Sequence, residues 1–282
     1  PMPVSAMGSP ESARSAKRGG ARQEQESDIY KVGKAGSKLL FLLNNSRGLQ
    51  VVSFAAGADS PELLGRVKAT GNYPENMYYD EKNDRLLVLA RLYYSDDGSY
   101  NYSDVQSRIV VYDVSKPTEP SVSAEVPVKG SIADSRIVGD VLYVASSIRP
   151  DSSYDNNEKA KGVVTSYSLS GKTIKEVESA ELSLPAVYGE NMNIQTIENA
   201  NGTYSYYLVA VLSETGWGWG DRKSLVEVVD ISDAKGKIKS VMTVSAKGFI
   251  RERSQTLIKN NTLIVTSNYQ VEGTAAGARD IA

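Results

Sequence analysis

One strand motif, repeated four times, constrains the fold of this chain more than any other feature. The fullest copy is Ser107-Arg-Ile-Val-Val-Tyr-Asp-Val-Ser115, and a nearly intact copy is Leu225-Val-Glu-Val-Val-Asp-Ile-Ser232. Degraded copies occupy residues 49–54 and 163–169. Short β-branched runs bounded by polar turn residues are typical of β-strands. Because the motif returns about every 55 to 62 residues, the sequence predicts a repeat architecture. Each copy closes on a polar residue before a turn: Ser53, Asp113, Ser168 and Asp230.

Each repeat contains four strand-like runs and ends near a glycine. The four glycines lie 59 residues apart, and glycine at a strand exit favours a tight reversal with positive φ, where other residues lose roughly 1–2 kcal/mol. We expect four full units and an incomplete fifth that stops in polar residues. The units are 28–71, 72–130, 131–189, 190–248 and 249–282, and the glycines are Gly71, Gly130, Gly189 and Gly248.

The order of these strands predicts antiparallel meanders, because the connections are too short for crossover helices and no helical periodicity is present. Repeated four-stranded meanders of this length are typical of β-propeller blades. A β-sandwich needs no four-strand period, and the coils of a β-solenoid are usually shorter. The predicted fold is therefore an all-β propeller of about four and a half blades in an open ring.

Residues 1–27 differ in composition from the rest of the chain. They are rich in Ala, Ser, Gly, Arg, Glu and Gln and contain almost no large apolar side chain. Such a segment buries too little surface to offset the entropy of ordering it, so we expect a flexible linker. The basic residues Lys17, Arg18 and Arg22 are interpreted as solvated linker charge. Because the chain opens with Pro1, we expect a processed or excised piece without its upstream targeting segment.

Composition excludes several classes of function. The net charge is −2, which argues against a nucleic-acid or anionic-membrane surface. The chain has no cysteine and no histidine, so it lacks disulfides, thiolate zinc sites and the commonest general base. No window approaches 18 uninterrupted apolar residues, which argues against a transmembrane segment.

Three segments carry a family resemblance. They are residues 26–33, which read Glu-Ser-Asp-Ile-Tyr-Lys-Val-Gly, residues 109–120, and residues 132–144, which contain Ala-Asp-Ser-Arg. These segments resemble the secreted β-propeller-domain proteins of bacteria and archaea, and the resemblance covers residues 26 to about 267. It implies a secreted, periplasmic or cell-surface location and further blades after the end of this chain. The resemblance brings no catalytic residues with it.

Inserted loops between the second and third strands are the candidate binding sites, because long loops on a rigid scaffold commonly bind ligands. The loop of unit two offers tyrosines and carboxylates that suit a sugar or a peptide. The alternative is a β-hairpin extension whose tyrosines pair across strands. The candidate residues are Tyr93, Tyr94, Asp96, Asp97, Tyr100, Tyr102 and Asp104.

The loops of units three and four offer two further candidates. Asp151, Ser153, Asp155 and Asn157 place oxygen ligands at alternate positions, as at the start of a calcium loop. That pattern then fails, since Asn156 and Gly162 replace the expected Gly and Glu, and a solvated polar loop is the alternative. Trp217 and Trp219 provide a stacking surface if exposed. Alternatively, they pack on a neighbouring blade.

The sequence therefore supports two functional hypotheses. The first is an extracytoplasmic scaffold that binds a protein or glycan partner through its loop-rich face, with no cofactor and no defined catalytic activity. The second is a carboxylate-dependent polysaccharide hydrolase or lyase working at the same face, since two carboxylates suffice for glycoside hydrolysis.

Overall fold

The computed structural model describes residues 22, 24–25, 28–57, 59–68, 73–92, 106–148, 161–182, 192–213, 223–250, 253–269 and 280–281. Within these residues all regular structure is antiparallel β-strand, apart from two short 3₁₀ helices, Glu81–Asn83 and Arg253–Gln255. The loops at 93–105, 149–160 and 214–222 lie outside the described residues.

Four consecutive meanders form four-stranded sheets, here called blades 1 to 4, and a two-stranded hairpin begins blade 5. A short strand, β1 (Glu24–Gln25), precedes blade 1 and pairs with blade 3. Blade 1 comprises β2 (Tyr30–Val32), β3 (Leu39–Asn44), β4 (Gly48–Ser53) and β5 (Glu62–Val67), and blade 2 comprises β6 (Tyr73–Asp80), β7 (Arg85–Leu92), β8 (Gln106–Asp113) and β9 (Ser121–Val128). Blade 3 comprises β10 (Ser131–Val138), β11 (Val141–Ile148), β12 (Lys161–Ser168) and β13 (Lys175–Glu181). Blade 4 comprises β14 (Met192–Glu198), β15 (Tyr204–Ser213), β16 (Lys223–Asp230) and β17 (Lys239–Lys247), followed by β18 (Thr256–Lys259), β19 (Thr262–Val265), β20 (Asn268–Tyr269) and β21 (Asp280–Ile281).

Burial differs sharply across each blade. The second strands β7 and β11 are buried along almost their whole length, whereas the fourth strands β9 and β17 are largely exposed. A strand that is packed on both faces needs apolar residues at consecutive positions, which explains runs such as Leu86-Leu-Val-Leu-Ala90. Since the strands of a propeller blade run outward from the central channel, we call the first strand of each blade its inner edge and the fourth its outer edge.

Neighbouring blades are held together by separate apolar cores. One core joins blades 1 and 2 and includes Phe41, Leu49 and Leu86. The next joins blades 2 and 3, the third joins blades 3 and 4, and the fourth packs blade 4 against the β18–β19 hairpin. Each core contains side chains from adjacent blades only, as expected for a repeat array stabilised by contacts between neighbours.

The polar residue that closes each third strand has one structural role in all four blades. A carboxylate of Asp113 accepts a hydrogen bond from the Ser115 amide at 2.9 Å, and Asp230 accepts one from Ser232 at 2.8 Å. Ser53 and Ser168 make the corresponding turns with their hydroxyls. Hydrogen bonds from Ser115 lower the pKa of Asp113, which is the expected effect of donors aimed at a charged carboxylate.

The glycine exits have the predicted conformation wherever they are described. Gly130 has φ = 75° and Gly248 has φ = 89°. A Cβ at Gly130 would lie only 2.4 Å from the carbonyl oxygen of Ser147. Both the left-handed backbone and this close approach therefore require glycine at position 130. Gly71 and Gly189 lie outside the described residues.

The predicted all-β propeller is confirmed, and the described strands form no closed ring. The predicted linker 1–27 and the predicted blade bounds stay predictions, but three described residues of the linker range contact the blades. Arg22 contacts blade 4, and β1 pairs with β10 in blade 3. Backbone pairing and charged contacts hold these residues. Neither can be predicted from the apolar content of the segment.

Candidate functional site

The inserted loops leave their blades from paired strand ends. Leu92 pairs with Gln106 in blade 2, Ile148 pairs with Lys161 in blade 3, and Ser213 pairs with Ser224 in blade 4. The structure thus describes the stems of the loops. The predicted site residues themselves lie outside the described residues: Tyr93, Tyr94, Asp96, Asp97, Tyr100, Tyr102, Asp104, Asp151, Ser153, Asp155, Asn157, Trp217 and Trp219.

All three stems lie on one face of the arc. At the stem of the blade 2 loop, the Ser107 hydroxyl bonds the amide of Ile132, at the start of blade 3. At the opposite end of the same blades, Arg85 bonds the carbonyl of Leu169. Ser166, near the turn end of β12, donates to the Gly236 carbonyl in the third-to-fourth connection of blade 4 at 2.7 Å. Blades 2, 3 and 4 therefore share one orientation. We call the end with the inserted loops the loop-bearing face and the end with the first-to-second turns the turn face.

Two serines anchor loop stems to the next blade. The Ser107 hydroxyl accepts a hydrogen bond from the Ile132 amide at 3.1 Å. The Ser224 hydroxyl accepts one from the Ile250 amide at 3.1 Å and donates to the Gly248 carbonyl at 2.9 Å. Both serines are buried and both hold the second position of a third strand. The loops of blades 2 and 4 are therefore built on stems that are fixed to the following crossover.

A charged pair lies beside the stem of the blade 2 loop. Nε of Arg91 lies 3.0 Å from a carboxylate oxygen of Glu75, and each side chain is about one quarter exposed. The same guanidinium donates to the carbonyl of Ile132 at 2.6 Å, which links blade 2 to blade 3. Burial raises the pKa of Glu75 above its ordinary value, while the Arg91 charge opposes that shift.

A second polar group lies on the inner strand of blade 3. Arg136 donates to Asp134 at 2.7 Å, and both side chains are almost fully buried. Ser135 and Tyr78 join their hydroxyls at 2.8 Å across the boundary between blades 2 and 3. A register shift in β10 between Ile132 and Asp134 accompanies this arrangement. These residues belong to the Ala-Asp-Ser-Arg motif that carries part of the family resemblance, and they were not among the predicted site residues.

Together these groups make a polar inner edge, with Glu75 and Arg91 at its loop-bearing end and Asp134 and Arg136 midway along β10. The partly exposed Arg91 offers donors and Glu75 offers acceptors, which suits recognition of a polar ligand, whereas Asp134 and Arg136 are buried against each other. Across the described residues, no three or more of His, Cys, Asp and Glu cluster in a way that could hold a metal ion. The same residues include no helix long and apolar enough to cross a membrane.

Comparison with known proteins identifies the family. A search of the curated proteins found no match. The chain matches the family described as Beta propeller domain over residues 23–226, a range that spans blades 1 to 3 and most of blade 4. The four-stranded antiparallel sheets agree with that match. The chain therefore belongs to the Beta propeller domain family.

Proposed function

We propose that this protein is an extracytoplasmic propeller scaffold that binds a protein or glycan partner through its loop-bearing face, without catalysing a reaction on it. The observation that carries the proposal is the anchoring of the loop stems. Ser107 and Ser224 join the stems of two inserted loops to the backbone of the next blade. A fixed stem lowers the entropy lost when a loop is ordered against a partner, and so favours binding.

The composition of the loops supports the kind of partner. The blade 2 loop carries four tyrosines and three aspartates, and the blade 4 loop carries both tryptophans of the chain. Aromatic rings stack on sugars and apolar side chains, while carboxylates accept hydrogen bonds from hydroxyls and amides. The Glu75–Arg91 pair at the base of the blade 2 loop adds both a donor and an acceptor.

The extracytoplasmic location rests on the resemblance to secreted propeller proteins. A fusion of the complete open reading frame to a reporter that is active only outside the cytoplasm tests this part of the proposal. Reporter activity supports it, and activity confined to a matched cytoplasmic reporter contradicts it.

The binding proposal is tested by incubating the protein with arrays of glycans and peptides. We expect saturable binding to one class of ligand, weakened by paired substitution of Tyr100→Ala and Tyr102→Ala. Failure to bind either array at micromolar protein concentration contradicts the proposal. Release of reducing ends from a bound polysaccharide would favour the carboxylate-dependent enzyme instead.

A further inference from the structure

A short segment before blade 1 crosses the inner edges of the other blades. We call residues 22–28 the clasp; Arg22, Glu24, Gln25 and Asp28 are its described residues. Asp28 exchanges two backbone hydrogen bonds with Met77 of blade 2, at 3.2 and 2.8 Å. Glu24 and Gln25 pair with the inner strand β10 of blade 3, at Val138 and Ile137. The described residues of the clasp thus contact blades 4, 3 and 2 in turn before the chain enters blade 1.

Arg22 occupies a defined site on blade 4. Its guanidinium donates to the carbonyl oxygens of Ile231 at 2.7 Å and Asp233 at 3.3 Å. The guanidinium carbon lies 4.3 Å from the centroid of the Tyr206 ring, within the range of a cation–π contact. The Arg22 amide also donates to the Tyr206 hydroxyl, and the Glu24 carboxylate accepts a hydrogen bond from Thr196. The guanidinium charge, the Tyr206 ring and the backbone hydrogen bonds therefore all hold Arg22 on blade 4, which lies far along the chain from it.

The Arg22 site repeats a contact made elsewhere within the blades. Arg85 of blade 2 donates to the carbonyl oxygens of Leu169 at 2.8 Å and Lys172 at 2.7 Å in blade 3. Leu169 and Ile231 are equivalent, since each directly follows the third strand of its blade. In both cases one guanidinium bridges two carbonyls of a third-to-fourth connection.

Blade 3 has no arginine at the position that corresponds to Arg85 of blade 2. Arg85 is the first residue of the second strand of blade 2, and the corresponding residue of blade 3 is Val141. Val141 packs in the apolar core between blades 3 and 4 and carries no donor. The blade 4 carbonyls that correspond to the partners of Arg85 receive a guanidinium from the clasp, and the Ile231 carbonyl also accepts a hydrogen bond from the Tyr143 hydroxyl of blade 3 at 3.3 Å.

We propose that the clasp is an interblade fastener in which Arg22 takes the place that Arg85 holds at the boundary of blades 2 and 3. A repeat array is stabilised mainly by contacts between adjacent blades, so it opens easily at one weak boundary. The clasp adds a covalently continuous link from blade 1 to blade 4 across the turn face. This device is independent of ligand binding, which is assigned to the loop-bearing face.

Hydrogen exchange and thermal unfolding of the full chain test the clasp. The variants are Arg22→Ala and Arg22→Lys, and the matched control is Arg47→Ala, at an exposed arginine in the turn between β3 and β4. For Arg22→Ala we expect about tenfold faster exchange of the amides of Glu24, Gln25 and the Ile137–Val138 end of β10, with a lower melting temperature. Arg22→Lys should lie between the parent and Arg22→Ala, because an ammonium lacks the planar fork that bridges two carbonyls.

Unchanged exchange at β1 and at Ile137–Val138 in both Arg22 variants overturns the proposal, whatever the melting temperature does. An equal loss of protection in Arg47→Ala also overturns it, because the effect would then not be specific to the clasp. If Arg22→Ala fails to fold, the comparison of Arg22→Lys with Arg47→Ala decides.

Discussion

The hydroxyl of Ser224 accepts a hydrogen bond from the amide of Ile250 at 3.1 Å, and so fixes the stem of the blade 4 loop to the crossover that leaves the blade. Both residues are fully buried. The equivalent bond in blade 2 joins Ser107 to Ile132 at the same distance. One contact, made at two blades, connects the stability of the repeat array with the placement of the candidate binding loops.

Substituting Ser224→Ala should destabilise the protein by about 1–3 kcal/mol, because the buried Ile250 amide loses its acceptor. The control is Ser245→Ala on the exposed strand β17, where we expect a change within about 0.5 kcal/mol. Chemical denaturation of both variants measures the difference. Equal effects in the two variants would mean that the Ser224 bond is not a stabilising contact.

Two glycines with similar backbone angles separate conformational strain from steric overlap. Gly130 and Gly202 have φ of 75° and 76°, but only Gly130 has backbone within 3 Å of a Cβ position. We expect Gly202→Ala to cost roughly 1–2 kcal/mol and Gly130→Ala about 3 kcal/mol or more. Equal losses on denaturation would show that the contact with Ser147 relaxes freely.

The glycine exits and the closing turns could be predicted from the sequence because each depends on local chemistry. A glycine at a strand exit indicates a positive φ angle, as found at Gly130, and an aspartate at a strand end indicates a turn closed by an amide two residues later, as found for Asp113 and Ser115. The alternation of apolar runs with polar turns likewise predicted the blades. Ser107 opens the fullest copy of the repeated motif and Ser224 directly precedes another copy, but the hydrogen-bond partners of both serines belong to the segment that begins the next blade.

The clasp could not be predicted because its partners are distant and its composition resembles a linker. Arg22 binds the carbonyl oxygens of Ile231 and Asp233, which any residue at those positions would supply. The pairing of β1 with β10 involves only two residues and has no apolar pattern. The polar inner edge was missed for a related reason, since the Glu75–Arg91 pair joins two strands whose register the sequence does not give.

A buried ion pair at the turn face gives a prediction about the blade 2–3 boundary. Nε of Arg85 lies 2.7 Å from Oδ2 of Asp80, and the two side chains are 5% and 13% exposed. Arg85→Met should destabilise the protein by about 3–5 kcal/mol, because it leaves the Asp80 carboxylate with the Asn83 amide but no cation, and removes the donor from two carbonyls. Adding Asp80→Asn should recover part of the loss. A double variant as unstable as Arg85→Met would show that the carbonyl bonds dominate.

Alkaline pH should weaken the fold through Tyr79. Burial raises the pKa of Tyr79 to about 12, and the nearby Asp84 charge adds to the shift. In the unfolded chain a tyrosine ionises near pH 10, so between pH 10 and about 12 the folded state binds more protons. The free energy of unfolding therefore falls as pH rises through this window. Tyr79→Phe should show a shallower fall in denaturation at pH 9 to 12, and identical slopes would contradict the assignment.

Calorimetric titration with a ligand selected from the arrays determines whether the loop-bearing face binds the partner. The loop variants are the pair Tyr100→Ala and Tyr102→Ala and the pair Trp217→Ala and Trp219→Ala. The control pair is Lys82→Ala and Lys235→Ala, at exposed residues of the turn face. We expect at least one loop pair to weaken binding by about tenfold or more, while the control pair stays within about twofold of the parent. Weakening by the control pair, with both loop pairs unchanged, would contradict the claim.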